Sequence, residues 1–390
     1  MKRNIKIISL FVIAVVILVA AMLFVLNRRD YNRQTDLSEK KITGHIAKED
    51  VDYKTVENKK IPVYKNIDKY LKKTKYNGSI VIYYKGKIMM NKGYGFQDFE
   101  SGTKSSPNTM YLIGSAQKFA TGLMLKKLET EGKVNINDPI TKYLPWFKTS
   151  KPLYLKDFML HRSGLKKYVA TGQVHDIDGA SRLLQKEGIQ PGMYHKHLYN
   201  DGNYIVLTRV IEAVTKEPYA KYFNDNFAKP YELERTAFYN DSTFTPYMAQ
   251  GYNEMKDFQK PKFLDQYYGA GNLYMAPKDL ARLVIDLQQY KIFPEKVTNP
   301  LLYSVKTNEY PGDYRYGFYS DGPAHRINGV FFGQTVTSYF NKDYVVVMAS
   351  NYQKSKAQNE KSLFHIYEKM LHQQPYLFKK AKPSPSLSPQ

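Results

Sequence analysis

The stretch Gly-Ser-Ala-Gln-Lys-Phe-Ala at residues 114–120 decides the fold of this chain. It places Ser115 three residues before Lys118, directly after the extended run 109–113 and at the start of a segment with helical apolar periodicity. Residues at i and i+3 share one helix face, so the lysine amine can reach the serine hydroxyl, the minimal requirement for an activated serine nucleophile. Taken alone, the pattern is more typical of a capped helix with one buried side, because serine is a common N-cap and lysine a common surface residue.

Strand patterns lie at both ends of the folded part of the chain. Residues 79–84 and 87–90 flank a two-residue turn and predict a β-hairpin. Near the other end, residues 334–340 and 344–350 predict a second pair of strands, and a helix from about residue 355 to 371 follows. The middle of the chain is mostly helical with long loops. These patterns predict a sheet built from both chain ends around a helical insert.

The amino-acid composition excludes several kinds of site and indicates the kind of partner the protein binds. The chain has 390 residues and no cysteine, which excludes disulfides, thiolate zinc sites and a cysteine nucleophile. Lysine and arginine number 58 against 36 aspartate and glutamate, for a formal net charge of +22, and most of that excess lies between residues 61 and 370. A polyanionic partner is expected, either a phosphate polymer or a membrane surface. A coding bias towards lysine, asparagine and tyrosine is the alternative explanation.

The two ends of the chain predict where the protein works. A short basic N-terminus precedes an uncharged apolar run at residues 7–26, long enough to cross a bilayer. We therefore expect residues 1–29 to be an uncleaved membrane anchor, with a removed signal peptide as the alternative. Residues 30–60 are predicted to be an extracytoplasmic stalk and residues 61–372 the folded domain. Residues 373–390 are rich in proline and serine and predict a disordered tail.

An ordered set of motifs resembles the serine penicillin-recognising hydrolases, in the branch that contains class C β-lactamases and D,D-peptidases. The resemblance covers nearly the whole predicted domain. The motifs are Ser115-Ala116-Gln117-Lys118, the run 134–140 with Tyr143-Leu144-Pro145, Leu160-His161-Arg162-Ser163-Gly164-Leu165, Tyr199-Asn200-Asp201, Gly269-Ala270-Gly271-Asn272-Leu273-Tyr274 and Tyr316-Gly317-Phe318.

This resemblance implies an α/β fold of the β-lactamase type: an antiparallel sheet from both chain ends, flanked by helices, plus a mainly helical insert. It implies that Ser115 forms an acyl-enzyme while Lys118 receives the serine proton, and that Tyr199 assists the leaving group and water. The backbone N–H groups of Ser115 and Val330 would hold the oxyanion. Aligning Ile327-Asn328-Gly329 with the family's KTG or HxG element makes Asn328, Gly329 and Val330 the expected substrate-binding residues. No metal or cofactor is implied.

Asp201 departs from the family pattern, which has asparagine at the third position of its YxN element. An anionic Asp201 near Lys118 would favour the ammonium form and hinder a lysine base. It could instead pair with a cation on the substrate. A structural alternative is that Asp201 caps a helix that begins near Gly202, and this role is compatible with the others.

Ile327 is the second departure, because it stands where relatives carry a lysine or histidine that binds a substrate carboxylate. Carboxylate recognition should therefore suffer. His325 lies two residues earlier on the same strand face and could compensate, although a surface histidine is the expected explanation.

More narrowly, the segments GSAQKF, LPWFKTSKP, YNDGNY, LDQYYGAGNLYM and FFGQ are similar to the teichoic acid D-alanine esterases of staphylococci. A D-alanyl ester has a free ammonium and no carboxylate on its alanine, which suits both departures. The expected function is a membrane-anchored extracytoplasmic serine esterase that removes D-alanine from teichoic acids, with a cell-wall or secreted location as the alternative. Alternative functions are a peptidoglycan D,D-carboxypeptidase or low-affinity penicillin-binding protein, and a non-catalytic wall-polymer-binding protein. The expected partners are an anionic cell-wall polymer and the cell membrane, and nucleic acid is not expected.

Overall fold

A computed structural model of the chain describes residues 52–355 and 357–377. The predicted anchor, most of the predicted stalk and the end of the predicted tail lie outside the described residues. Within residues 52–355 and 357–377, no helix is long and apolar enough to cross a membrane.

The described residues form eleven strands. They are β1 (Val56–Glu57), β2 (Gly78–Tyr84), β3 (Lys87–Tyr94), β4 (Tyr111–Leu112), β5 (Thr236–Phe238), β6 (Leu273–Met275), β7 (Tyr314–Arg315), β8 (Phe318–Ser320), β9 (His325–Phe331), β10 (Gln334–Phe340) and β11 (Tyr344–Ser350). Eight of them form one antiparallel sheet in the order β1-β3-β2-β11-β10-β9-β8-β7. The pairing of β2 with β11 joins the two ends of the chain, so the predicted sheet and fold class are confirmed. A second, three-stranded sheet has the order β4-β6-β5.

The hairpin β2-β3 shows why local sequence predicts strands well here. Its turn residues Lys85 and Gly86 have φ values of 49° and 74°. Two positive φ values in succession match the right-handed twist of the flanking strands, and glycine adopts such a conformation without steric cost.

Nine α-helices are present among the described residues. They are α1 (Pro62–Lys73), α2 (Gln117–Thr130), α3 (Leu155–Met159), α4 (Ile177–Glu187), α5 (Asp201–Thr215), α6 (Tyr219–Phe223), α7 (Pro277–Gln288), α8 (Glu295–Tyr303) and α9 (Gln358–Phe364). The predicted C-terminal helix begins at Gln358 as α9 and continues as a π-helical turn, His365–Met370.

Helices from both chain ends cover one face of the large sheet. Apolar side chains of α1, α9 and the π-helical turn pack there against β2, β3, β10 and β11. The shared core includes Tyr64, Ile67, Leu71, Ile80, Ile82, Met90, Tyr339, Val346, Met348, Leu363, Ile366 and Tyr367. Burial of this apolar surface holds the two ends of the chain together, at roughly 25 cal/mol per Å² of apolar area.

Helix α2 differs from the prediction of one buried side. Ten of its fourteen residues are buried, and these include Gln117, Lys118 and Thr121. The reason is that α2 has neighbours on several sides. It contacts β8 and α5 directly, and the three-residue 3-10 turn before it packs against β9. A polar side chain on such a helix must find partners inside the protein.

The folded part of the chain extends beyond both predicted boundaries. Tyr53 is buried and its hydroxyl donates to Asp279 Oδ1 at 2.6 Å, and β1 pairs with β3, so residues 52–60 belong to the fold and not to a stalk. At the other end, Tyr376 is 3% exposed and stacks on Tyr319. The predicted start of the tail at residue 373 is therefore too early. Isolated aromatic residues in polar segments were the available signal for both extensions.

Candidate active site

Ser115 lies in the 3-10 turn Gly114–Ala116, which leads from β4 directly into α2. Gly114 has a φ of 52°, a left-handed conformation that lets the chain turn sharply there. Ser115 is partly exposed whereas Lys118 is fully buried. The distance from Lys118 Nζ to Ser115 Oγ is 3.0 Å, so the predicted pairing of amine and hydroxyl is present.

Among the described residues, Lys118 Nζ has three hydrogen-bond partners, one for each hydrogen of an ammonium. Besides Ser115 Oγ, they are Asp201 Oδ1 at 2.6 Å and the carbonyl oxygen of Ala270 at 3.0 Å. The carboxylate and the carbonyl can only accept, whereas the serine hydroxyl can donate or accept. A neutral amine would keep both obligate acceptors satisfied and turn its lone pair towards Ser115. The loss of one proton therefore converts Lys118 from a donor to Ser115 into a base for it.

The electrostatics of the site favour the ammonium form of Lys118. Burial by itself lowers the pKa of Lys118, but the Asp201 carboxylate and the Tyr199 hydroxyl outweigh burial, and the pKa is raised above its ordinary value. The expectation that Asp201 lies near Lys118 and favours its charged form agrees with this geometry.

Asp201 is the first residue of α5, but it does not cap the helix. The cap is Asn200, whose Oδ1 accepts from the N–H of Gly202 at 3.0 Å. The prediction that Asp201 caps this helix was therefore wrong by one residue. Its side chain turns into the site instead and is 31% exposed. Among the described residues, no hydrogen bond reaches its second oxygen, Oδ2.

Tyr199 precedes this cap and lies over the lysine. Its ring centroid is 5.3 Å from Lys118 Nζ and 4.2 Å from the ring of His161. Tyr199 is 36% exposed, so its hydroxyl can meet a substrate and still remain next to the lysine. The structure thus brings Ser115, Lys118, Tyr199 and Asp201 together.

His161 packs against the ring of Tyr199 and is fully buried. The backbone N–H of Asn200 points to His161 Nδ1 at 3.3 Å, and the Asn203 amide is 2.9 Å from the same atom. An acceptor at Nδ1 places the ring proton on Nε2. Burial, together with the nearby Lys118, holds the pKa of His161 well below its ordinary value. This histidine is therefore a neutral packing residue for Tyr199.

Strand β9 runs past the nucleophile at very close range. A methyl group on Gly329 would lie 1.8 Å from the carbonyl oxygen of Ile113 and 2.9 Å from the backbone nitrogen of Ser115, so only glycine fits. Strand β8 pairs with β9 only at His325 and Arg326, which leaves the following residues of that edge without a strand partner. The backbone of Val330 consequently lies beside Gly114, where the predicted second oxyanion donor would have to be.

The other residues of this element occupy different surroundings. Successive side chains of β9 point to opposite faces of the sheet, so Asn328 faces away from Ile327 and Gly329. Its Oδ1 accepts from Thr337 Oγ1 at 2.8 Å on the face covered by α9. The structure therefore does not bring the Asn328 side chain to Ser115. Ile327 is fully buried, and no charge occupies this position.

His325 is not the surface histidine that the sequence predicted. It is fully buried between aromatic rings, 4.6 Å from the ring of Phe340. Burial lowers the pKa of His325 to about 3, so the side chain is neutral and supplies no cation. Its strand pairs on both edges, which an isolated sequence segment does not reveal.

Polar side chains on α2 hold the loop that carries Ala270. Gln117 bonds to Asn272 Oδ1 at 3.1 Å and to the N–H of Leu273 at 3.0 Å. Thr121 donates to the carbonyl oxygen of Gly269 at 2.7 Å. The Gly-Ala-Gly-Asn motif therefore fixes the third partner of Lys118. The sequence contained the motif, but the role of a backbone carbonyl could not be deduced from it.

Among the described residues, no group of three or more histidine, aspartate and glutamate side chains could hold a metal ion. The chemistry available at this site is that of a hydroxyl, an amine, a phenol and a carboxylate. Such a set can transfer an acyl group through a serine.

Residues 63–366 match the protein family described as Beta-lactamase. The teichoic acid D-alanine hydrolase of Staphylococcus aureus is 54% identical over 327 residues, which cover 83% of this chain and 82% of that protein. The crystal structure of FmtA from Staphylococcus aureus has a TM-score of 0.83 and 51% identity, and covers 89% of this chain and 99% of that chain. A D-amino acid amidase from Ochrobactrum anthropi has a TM-score of 0.67 at 16% identity, with 80% and 98% covered, which shows the fold alone. The chain belongs to the beta-lactamase family.

Proposed function

We propose that the protein is a serine esterase that removes D-alanine from teichoic acids through an acyl-enzyme on Ser115. The observation that supports it most is the contact of Lys118 with both Ser115 and Asp201, at 3.0 and 2.6 Å, in a site where position 327 carries no cation. The substrate follows from the names of the Staphylococcus aureus relatives, which are 54% identical to this chain.

Acylation begins with attack of Ser115 Oγ on the ester carbonyl carbon. The Oγ proton passes to Lys118 Nζ in the fraction of molecules in which that amine is neutral. The backbone N–H groups of Ser115 and Val330 hold the oxyanion. When the ester bond breaks, the polymer hydroxyl takes a proton from Lys118 by way of Tyr199, and D-alanine remains bound to Ser115 as an ester.

Deacylation reverses the proton movements with water in place of the polymer. A water molecule loses a proton to the Tyr199–Lys118 pair as it attacks the alanyl carbonyl carbon. The second tetrahedral intermediate breaks its bond to Ser115 Oγ, and the serine regains its proton. D-Alanine leaves with a new carboxyl group, which loses the second proton of the water to the solvent.

Asp201 selects the substrate in this proposal. Its Oδ1 is bound to Lys118, and its Oδ2, which bonds to no other described residue, would accept from the ammonium of a D-alanyl ester. A peptidoglycan peptide offers a carboxylate instead, and neither Ile327 nor the neutral His325 attracts one. The D,D-peptidase alternative is therefore disfavoured. A non-catalytic wall-polymer-binding role does not require the contact between Lys118 and Ser115.

An extracytoplasmic location belongs to the same proposal, because teichoic acids are cell-wall polymers. The apolar run at residues 7–26 would anchor the protein to the membrane, and the net charge of +22 suits a poly(phosphodiester). The test is release of D-alanine from purified D-alanylated teichoic acid by the wild type and by Ser115→Ala. Release by the wild type alone supports the proposal. Equal release by both proteins, or none by the wild type, contradicts it.

A further inference from the structure

A cavity of about 500 Å³ lies against Tyr314, whose ring contacts that of Tyr199, and the catalytic roles proposed above do not use it. Its volume falls within the range of small-molecule sites. Its lining includes Leu160, Arg162, Asp313, Tyr314, Tyr319 and Tyr376.

The cavity shares a wall with the candidate active site. Tyr314 lines the cavity, and its ring is 6.0 Å from the ring of Tyr199 and 4.7 Å from that of His161. Leu160 and Arg162, which also line it, flank His161 in sequence. Ring contacts therefore connect the cavity wall directly to Tyr199, the residue that would protonate the leaving oxygen.

Arg162 carries the permanent positive charge in this lining and can bind an anion. Its Nε donates to the carbonyl oxygen of His195 at 2.9 Å, which fixes the plane of the guanidinium. Among the described residues, neither Nη1 nor Nη2 has a hydrogen-bond acceptor. A guanidinium fixed on one edge and free on the other is suited to two parallel hydrogen bonds to a phosphate.

The remaining lining suits a polyol. Asp313 accepts from the Tyr376 hydroxyl at 3.2 Å through Oδ2, and Tyr376 stacks on Tyr319 at 5.5 Å. A carboxylate with tyrosine rings offers acceptors and flat apolar surface to hydroxyl-bearing carbon chains. One cation and one carboxylate together fit a ligand with both phosphate and hydroxyl groups better than a uniformly anionic one.

We propose that this cavity binds the polyol phosphate chain of the leaving group, with Arg162 holding the phosphodiester next to the esterified hydroxyl. The inference rests on the proposed function, because only an ester on such a polymer has a leaving group of this chemistry. It adds a binding site to that function and makes the enzyme selective for polymer over small esters.

The experiment compares two substrates, D-alanylated poly(glycerol phosphate) and the D-alanyl ester of glycerol, which has no phosphate. In Arg162→Gln, we expect the ratio of kcat/KM for the polymer to kcat/KM for the glycerol ester to fall about tenfold, mainly through KM. Lys196→Gln is the matched control, because it removes a charge next to His195, in the loop between α4 and α5 that Arg162 contacts, at an exposed residue outside the lining. It should leave the ratio within about twofold of the wild type.

A second measurement begins with the wild type, and that part does not depend on how well the variant folds. Unalanylated glycerol phosphate oligomers should inhibit the wild type competitively against the polymer, and more weakly inhibit Arg162→Gln. Absence of competitive inhibition, an unchanged ratio, or an equal fall in Lys196→Gln would overturn the inference. A wild type that releases alanine from neither substrate would refute the proposed function itself.

Discussion

Lys118 is the residue on which the chemistry depends. Its three partners come from the 3-10 turn before α2, from α5 and from the loop before β6, so a buried amine is held where a change in protonation alters its role. Because its pKa is raised, the base form is the minor one near neutral pH. The enzyme thus combines a well-positioned base with a low population of its active form.

Removal of either proton-transfer group should lower activity with little effect on the fold elsewhere. We expect Lys118→Ala and Tyr199→Phe each to reduce kcat/KM for alanine release by roughly 10²-fold or more. Initial rates of D-alanine release measure this. Retention of near wild-type activity by either variant would remove that residue from the mechanism. Thr130→Ala, at the exposed end of the same helix, serves as the control.

The pH profile should carry the signature of Lys118. Its raised pKa means that the amine form increases as pH rises through the neutral and alkaline range, so kcat/KM should rise with pH. In Asp201→Asn, the main partner that raises this pKa is lost while burial still lowers it, so the rise should move to lower pH. An enzyme-free blank corrects for alkaline hydrolysis of the ester. An unchanged profile in Asp201→Asn would show that Lys118 is not the titrating base.

Asp201→Asn also tests the ammonium site. Loss of a partly desolvated ion pair worth about 1–3 kcal/mol should cost about 5- to 150-fold in kcat/KM for a D-alanyl ester. A neutral acyl ester of similar size should lose much less, since it has no ammonium. Comparable losses for both esters would assign Asp201 to Lys118 alone.

At the scale of elements, local sequence patterns predicted where strands lie better than they predicted the burial and contacts of individual side chains. The bounds of β10 and β11 coincide with the predicted strands because alternation and turn residues are local properties. The burial of His325 and the turn of Asn328 away from Ser115 depend on strands and helices distant in sequence. The Ser115–Lys118 pairing was predictable because the two residues are three positions apart in one helical segment, and this spacing alone brings their side chains together.

The aliphatic residue on β9 should make the protein a poor target for penicillins. Ile327 offers no charge for the carboxylate of a β-lactam, so acylation of Ser115 should be slow in the wild type. Ile327→Lys should label faster with a fluorescent penicillin, and Ile327→Met is the matched uncharged control. Because position 327 is buried, the thermal unfolding of each variant should be measured alongside its labelling rate, to show that the variant is folded. Fast labelling of the wild type would contradict this account of the strand.

At the scale of the whole molecule, the excess positive charge is expected to act on the polymer and not on the chemistry. A net charge of +22 attracts a polyanion over a distance that salt shortens. Raising ionic strength from about 0.05 to 0.5 M should therefore raise KM for the polymer several-fold. The glycerol ester should show almost no change in KM. Parallel changes for both substrates would indicate a salt effect on the site itself.

The most direct test of the central claim is the mass of the enzyme during turnover. Purified protein is mixed with D-alanylated teichoic acid, quenched in acid within the first turnovers, digested and analysed by mass spectrometry. We predict that the peptide containing Ser115 gains the mass of one alanyl residue, that fragmentation places it on the serine, and that Ser115→Ala gains none. Release of D-alanine at the wild-type rate with no alanyl group on Ser115, in experiments able to detect it, would contradict the account.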